Sequence, residues 1–254
     1  MTTAVPAQSP AWFERTRAVI ASLSLGALVV ARTGSVELAV ALMIVGMVAA
    51  RRWSTRTALG VLGVLTVIGL PWILSSLVAG LSWMLVEYRR QTHVWVRVNA
   101  RELTITGCAL AVAVGLTAGL VAVPTVHRQL THEPLQCDIV APPSWAIPVA
   151  VVLFAAATAI GEELLWRGAL LRDMRTLSTP MIIALQFVSF GVAQWHGLPG
   201  GVVGCLLTGS GSLVFLWVHR RWGIIASVGA HFIADIVIFS TAAPLILFTG
   251  WESR

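Results

Sequence analysis

Residues 223–250 have the sequence GIIASVGAHFIADIVIFSTAAPLILFTG, an apolar run in which Asp235 is the sole acidic or basic residue apart from His231. A helix that spans a membrane needs roughly 20 predominantly apolar residues, and this run is longer than that. A second run, GVVGCLLTGSGSLVFLWV, occupies residues 201–218 and contains no charged side chain. Two such runs in succession predict helices that lie in a membrane.

The rest of the chain has the same character, since 57% of its 254 residues are hydrophobic and only 11% are charged. A soluble domain has about 45–50% apolar and about 25% charged residues, so this chain has too few charges to cover a soluble surface. The same composition excludes a disordered chain, a collagen and a coiled coil. We therefore predict an all-α fold, a polytopic transmembrane helical bundle in the cell membrane.

Eight apolar runs follow one another and predict about eight spans. They cover residues 18–31, 36–50, 58–86, 103–123, 145–160 with a continuation into Glu162, 181–195, 201–218 and 223–250. The run 58–86 is too long for one upright span and is interrupted at Pro71. We divide the chain into residues 1–142, an N-terminal membrane region without an assigned role, and residues 143–250, a second membrane region with a four-helix core.

All 17 basic residues are arginines, and they cluster at the ends of the apolar runs. This placement indicates lipid headgroups as partners and not nucleic acid. With Arg167 left aside because it lies in a polar motif, the arginines divide seven to nine between the two sides if every run crosses once. They divide thirteen to three if the run 58–86 enters and returns. Positive charge accumulates on the cytoplasmic side of membrane proteins, so we predict that this run reverses.

Three acidic residues, Glu162, Glu163 and Asp235, lie inside apolar runs. A charge within the membrane costs at least about 2.5–3.5 kcal/mol on insertion scales, so such residues are expected to pair and to face a polar cavity. On a helix, Glu163 and Arg167 are four residues apart and can form an ion pair. Glu162 is rotated from Glu163 by about 100°. We therefore expect Glu162 to lack that partner and to be free to point at a substrate.

Two further helices carry polar clusters. His231 and Asp235 are four residues apart, and His196 follows the run 181–195. We expect Glu162, His196 and His231 to converge on one polar cavity. A carboxylate beside a neutral imidazole can deprotonate water, and a second imidazole can donate to a developing oxyanion. The same side chains can also bind zinc. Both arrangements predict hydrolysis by activated water.

Three motifs resemble those of one protein family. EELLWRG at 162–168 resembles the Glu-Glu-x-x-x-Arg motif of the CPBP intramembrane proteases, which include CAAX prenyl endopeptidases and bacteriocin-processing and self-immunity proteins, and which are also called Abi. FGVAQWH at 190–196 resembles the family's Phe-x-x-x-His motif, although Phe190 precedes His196 by six residues and Val192 replaces the family's Phe. HFIAD at 231–235 resembles its third motif, His-x-x-x-Asn or Asp. The resemblance covers roughly residues 143–250.

The resemblance implies an integral membrane endopeptidase that acts on a membrane-associated peptide or protein. Its catalytic set would be Glu162, His196, His231 and Asp235, with Glu162 as the base and with Glu163 and Arg167 as supporting residues. An ionised Asp235 cannot donate to an oxyanion, so it must be protonated, bind a metal or orient His231. The family is described as metalloproteases, which implies a zinc ion on Glu162, His196, His231 and Asp235. The sequence leaves open whether zinc or Glu162 alone activates the water.

Two functions of other classes are also compatible with the sequence. Intramembrane Glu, His and Asp side chains form proton relays in pumps and transporters, so a proton- or metal-coupled transporter is one alternative. Many transporters have two related halves, and this chain shows no internal repeat, which counts against it. The other alternative is a non-catalytic member of the family that acts as a membrane scaffold or bacteriocin-immunity protein.

Overall fold

A computed structural model describes residues 10–31, 35–89, 145–196 and 200–252, together with Gly115. These residues form eight main helices and contain no β-strand. We number the helices α1 (Ala11–Ala31), α2 (Val36–Ala49), α3 (Trp53–Val67), α4 (Trp72–Arg89), α5 (Ala146–Glu163), α6 (Thr179–Ala193), α7 (Gly201–Trp222) and α8 (Ile224–Glu252). The all-α fold is therefore confirmed, and the run 103–123 lies outside the described residues except for Gly115.

The run 58–86 forms two helices, α3 and α4, as predicted. Gly69, with φ of +82°, lies between them in a left-handed conformation that glycine adopts without strain. Pro71 precedes α4, and the hydroxyl of Ser75 donates to the carbonyl of Leu70 at this turn. At the other end of the pair, Ser54 donates to the carboxylate of Glu87. The two helices are thus antiparallel, and the chain reverses between them.

Helix α5 does not end at Glu163 but changes its winding. Residues Leu164–Leu170 form a π-helical segment, and all seven of them are buried. A short α-helical turn at Leu171–Asp173 and a 3₁₀ turn at Met174–Thr176 follow. π-Helical turns are rare and occur frequently at functional sites, and this one begins directly after the two adjacent glutamates.

Within the described residues, two continuous helical segments have the length and the composition of a membrane span, namely Ala146–Thr176, which is α5 with the turns that follow it, and Gly201–Trp222. Four further apolar helical stretches have 10–17 residues each, namely α2 (Val36–Ala49), residues Trp72–Glu87 of α4, α6 (Thr179–Ala193) and residues Ile224–Ser240 of α8. The helical order follows the predicted runs. The bounds differ by a few residues, and α1 begins at Ala11, well before the apolar run.

Arginines from both halves of the chain meet at one end of the bundle. The guanidinium of Arg17 donates to the carbonyls of Ala49 and Ala50. The backbone nitrogen of Arg51 donates to Asp173, at 2.8 Å, and Arg172 forms an ion pair with the buried Glu87. Polar contacts at this end therefore join α1, α2 and α4 to the segment that continues α5.

Helices α4 and α5 approach each other closely at two glycines. A Cβ atom at Gly161 would lie 2.6 Å from the backbone nitrogen of Leu77, and one at Gly80 would lie 2.8 Å from the Cβ of Leu164. Glycine allows the backbones of neighbouring membrane helices to come this near. The N-terminal helices are thereby packed directly against the helix that carries Glu162 and Glu163.

We predict that Gly161→Ala destabilises the protein, because the added methyl group meets backbone atoms of α4 that cannot rotate away. Overpacking of this kind typically costs about 1–3 kcal/mol, and it should lower the midpoint of thermal unfolding in detergent. Gly229→Ala on α8 is the matched control, because a Cβ there meets no atom within 4 Å. Equal midpoints for the two variants would contradict the close contact.

Candidate active site

The carboxylate of Glu163 lies at the centre of a buried polar cluster. Its Oε1 is 3.0 Å from Nη1 of Arg167 and 3.0 Å from Nδ1 of His231. Its Oε2 accepts a hydrogen bond from the hydroxyl of Ser227 on α8. The side chains of Glu163 and Arg167 are fully buried. The ion pair predicted from their spacing is thus confirmed, and the same carboxylate also binds the histidine of the third motif.

Arg167 contacts both α6 and α7. Its Nη2 donates to the carbonyl of Ser212 on α7 at 2.8 Å. The guanidinium lies 4.8 Å from the ring centroid of Phe190 and 5.7 Å from that of Phe215, distances at which a cation is attracted to an aromatic face. Phe190 of the second motif is only 3% exposed, so it packs in the interior against this cluster.

His231 has a fixed ring orientation. Its imidazole stacks on Phe215 with ring centroids 4.5 Å apart and planes 17° apart, and its Nδ1 contacts Glu163. Its Nε2 therefore faces the opposite way, 3.9 Å from Oε2 of Glu162 and 3.6 Å from Oδ1 of Asp235. His231 and Asp235 lie on one face of α8, as their spacing predicts.

Glu162 is 1% exposed, and its two carboxylate oxygens have different surroundings. Oε1 accepts hydrogen bonds from Nε1 of Trp72 at 2.8 Å and from Nε2 of Gln194 at 3.1 Å. Oε2 has no hydrogen-bond partner among the described residues and faces His231. The expectation that Glu162 is free to point at a substrate is therefore wrong for Oε1, which Trp72 and Gln194 hold. The other oxygen, Oε2, is open to a further ligand.

Asp235 completes the buried set. It is 7% exposed, and its Oδ2 has no hydrogen-bond partner in the part of the chain that the structure describes. Three carboxyl groups, of Glu162, Glu163 and Asp235, thus lie within 3.9 Å of the imidazole of His231.

His196 has a different environment from the other predicted site residues. It is exposed and lies in the turn that follows α6. The backbone nitrogen of Gly201 donates to the carbonyl of Trp195 at 2.7 Å, which closes the connection towards α7. The structure brings Glu162, His231 and Asp235 together in the interior, and it places His196 at the surface beside Gln194, which contacts Glu162.

The comparison with known families agrees with the three motifs. Residues 143–237 match a family model described as Type II CAAX prenyl endopeptidase Rce1-like. This Rce1-like match confirms the resemblance to CAAX-type membrane proteases, and it includes every predicted site residue. No curated protein and no solved structure matched the chain. The match and the two long apolar helices indicate a membrane protein with a CAAX-protease-like domain.

The geometry of the Rce1-like domain does not support the hypothesis that the predicted site residues bind zinc. Across the described residues, no three His, Cys, Asp or Glu side chains form a group that could hold a metal ion. The Nδ1 atom of His231 is occupied by Glu163, and His196 is at the surface. Zinc binding by Glu162, His196, His231 and Asp235 therefore stays a prediction, and we derive no chemical step from it.

Two residues that contact Glu162 were not found from the sequence. Trp72 lies on α4, outside the Rce1-like match, and Gln194 lies within the second motif, two residues before His196. A weak signal existed for each, since Trp72 directly follows the interruption at Pro71 and Gln194 is a polar residue at the end of an apolar run. Neither signal identifies a partner, because the contacts cross helices that are far apart in sequence.

We predict that Glu163→Gln lowers the yield and the thermal stability of the protein. The substitution leaves the buried Arg167 without its anion, and removal of one partner of a buried pair typically costs about 3–5 kcal/mol. Glu162→Gln is the matched control, because its amide oxygen can still accept from Trp72 and Gln194. The measurement is the thermal unfolding midpoint in detergent, and a Glu163→Gln protein as stable as Glu162→Gln would contradict the central role of Glu163.

Proposed function

We propose that the protein is an integral membrane endopeptidase that hydrolyses a peptide bond at or within the bilayer. One observation carries this proposal: Glu162 is buried, one of its oxygens is held by two donors, and the other faces His231 across 3.9 Å. A direct hydrogen bond is shorter than this distance, and a polar separation of this size can hold a bridging water. The Rce1-like match supports the same chemistry.

In the proposed reaction, Oε2 of Glu162 takes a proton from a water molecule held between it and His231. The water oxygen forms a bond to the carbonyl carbon of the substrate, and the carbonyl oxygen becomes an oxyanion. Glu162 then gives the proton to the amide nitrogen as the C–N bond breaks, which yields a carboxyl group and an amine. General acid–base catalysis of this kind requires a base within hydrogen-bond reach of the proton that it takes.

His231 and Asp235 have supporting parts in this reaction. The Nε2 atom of His231, directed by Glu163 on the opposite ring nitrogen, can donate to the oxyanion. Of the three roles open to Asp235, orienting or charging His231 agrees best with the 3.6 Å between Oδ1 and Nε2. For His196 we propose contact with the substrate or water at the surface, beside Gln194. The substrate class is a membrane-anchored peptide, and prenylation is not part of the proposal.

We predict that Glu162→Gln abolishes cleavage, because the amide is nearly isosteric with the carboxylate but cannot take a proton from water. In the assay, the purified wild type and each variant are incubated with a library of membrane-anchored peptides, and the cleavage products are detected by mass spectrometry. Glu37→Gln on α2 is the control, since Glu37 is exposed and lies outside the site, and it should retain full activity.

Equal cleavage by the wild type and by Glu162→Gln would refute Glu162 as the base. Absence of cleavage by the wild type would instead favour a non-catalytic scaffold or immunity protein. A proton or metal flux in liposomes, lost in Glu162→Gln without any cleavage, would favour the transporter. The three functions therefore give three different sets of results.

We also propose that the protein is a multi-pass protein of the cell membrane, with the arginine-rich end of the bundle in the cytoplasm. The contacts of Arg17, Arg51 and Arg172 support this arrangement, because they lie at the same end. Helices α6 and α7 run antiparallel, as the contacts of Gly191 with Cys205 and of Gln186 with Ser212 require. The end of α7, with Arg220 and Arg221, thus returns to that end.

We predict that single cysteines at positions 52, 175 and 221 are all labelled from the cytoplasmic side by a membrane-impermeant maleimide. The three native cysteines are replaced first. A cysteine at position 68, between α3 and α4, is the control and should not be labelled from that side, because the reversal places it at the opposite end. Labelling of positions 52 and 175 from opposite sides would contradict the arrangement.

A further inference from the structure

One carboxylate oxygen of Glu162 receives two hydrogen bonds, while the other receives none from the described residues. The donors come from different parts of the chain: Trp72 begins α4, and Gln194 directly follows α6. The terminal torsion of a glutamate side chain is broad and roughly two-fold, so an unbound carboxylate would sample several orientations. Two donors on Oε1 from two helices restrict that rotation.

We propose that Trp72 and Gln194 are positioning residues for Glu162: they hold Oε1 so that Oε2 stays directed towards His231. The inference rests on the proposed function, in which Oε2 is the atom that takes the proton. It assigns a role to the N-terminal region, because Trp72 lies outside residues 143–237, which match the Rce1-like family. The active site is then complete only when α4 is packed against α5.

The backbone explains how Trp72 reaches Glu162. Gly161, which directly precedes Glu162, lies against the backbone of Ser76 and Leu77 on α4. Trp72 is one helical turn before Ser76 and is therefore beside this contact. A side chain at position 161 would separate the two helices and withdraw the indole N–H from Oε1. The close approach of α4 to α5 and the hydrogen bond from Trp72 to Glu162 thus occur at the same contact between the two helices.

The indole ring is also held in its orientation by other aromatic rings. Trp72 packs edge-on against Trp166, with ring centroids 6.1 Å apart, and Trp166 donates from Nε1 to the hydroxyl of Ser189 at 3.2 Å. Trp166 in turn packs edge-on against Phe190 at 5.1 Å, and Phe190 packs against His231 at 5.9 Å. One continuous set of rings therefore fixes both the donor to Oε1 and the imidazole that faces Oε2.

The first test is the kinetics of Trp72→Phe. Phenylalanine keeps an aromatic ring against Trp166 but removes the indole N–H, so kcat should fall about tenfold, which corresponds to about 1.4 kcal/mol, while KM stays unchanged. Trp83→Phe is the matched control on the same helix, because the Nε1 atom of Trp83 is buried without a hydrogen-bond partner among the described residues. It loses the same ring volume and should leave kcat unchanged even where it lowers stability.

Gln194→Leu tests the second donor independently, and it keeps the test available if Trp72→Phe does not fold. Leucine has a similar size but cannot donate, so kcat should again fall about tenfold at unchanged KM. Gln194→Asn is not a substitute, because the shorter amide cannot reach the same atom. The double variant Trp72→Phe/Gln194→Leu leaves Oε1 without either donor and should lose more activity than each single variant.

The second test does not depend on activity. In protein labelled with ¹⁵N-tryptophan and held in detergent micelles, Trp72→Phe identifies the indole N–H signal of Trp72 by its disappearance. Glu162→Ala should shift that signal, because the acceptor is lost, and should leave the indole signal of Trp83 in place. This measurement reports the hydrogen bond directly, whether or not a substrate is known.

The results separate the two proposals. A cleaving wild type with full kcat in both Trp72→Phe and Gln194→Leu would overturn the positioning role alone. An unmoved Trp72 signal in Glu162→Ala would overturn the contact on which the role depends. A wild type that cleaves no peptide would overturn the proposed function and, with it, this role. A selective loss of kcat together with a shifted Trp72 signal is the result that we expect.

Discussion

The buried carboxylate of Glu163 is the interaction on which the rest of the site depends. It joins Arg167 on its own helix to Ser227 and His231 on α8, so it connects the first and third motifs in a single contact. A buried charge is tolerated only when it is paired and hydrogen-bonded, and Glu163 has a partner on each oxygen. By occupying Nδ1 of His231 it also determines that Nε2 faces Glu162.

The two adjacent glutamates illustrate how one helix can support two tasks. Glu163 points into a closed set of partners, whereas Glu162 keeps an oxygen that no described residue binds. The change to π-helical winding directly after them places Trp166 and Arg167 in the interior as well. Trp166 contacts Phe190, and Arg167 lies over the same ring. Aromatic packing and the charge of Arg167 therefore stabilise the same position of the Phe190 ring.

Much of the site could be predicted from residue spacing. Ion pairs between residues four apart on a helix follow from helical geometry, which is why Glu163–Arg167 and His231–Asp235 were found without a structure. Trp72 and Gln194 could not be found in this way, because their contacts with Glu162 cross helices, and spacing along the chain does not encode distances between helices. The surface position of His196 was missed for the same reason.

The sequence by itself determined the all-α fold, the order of the helices and the reversal at Pro71, since apolar content and helix-breaking residues act locally. It also predicted the burial of Glu162, Glu163 and Asp235, because a charge among apolar residues of a membrane helix is costly. Only the tertiary structure decided which oxygen of Glu162 is held and which is open. That choice depends on the approach of α4 to Gly161, a contact between residues far apart in the chain that only close packing of two helices can create.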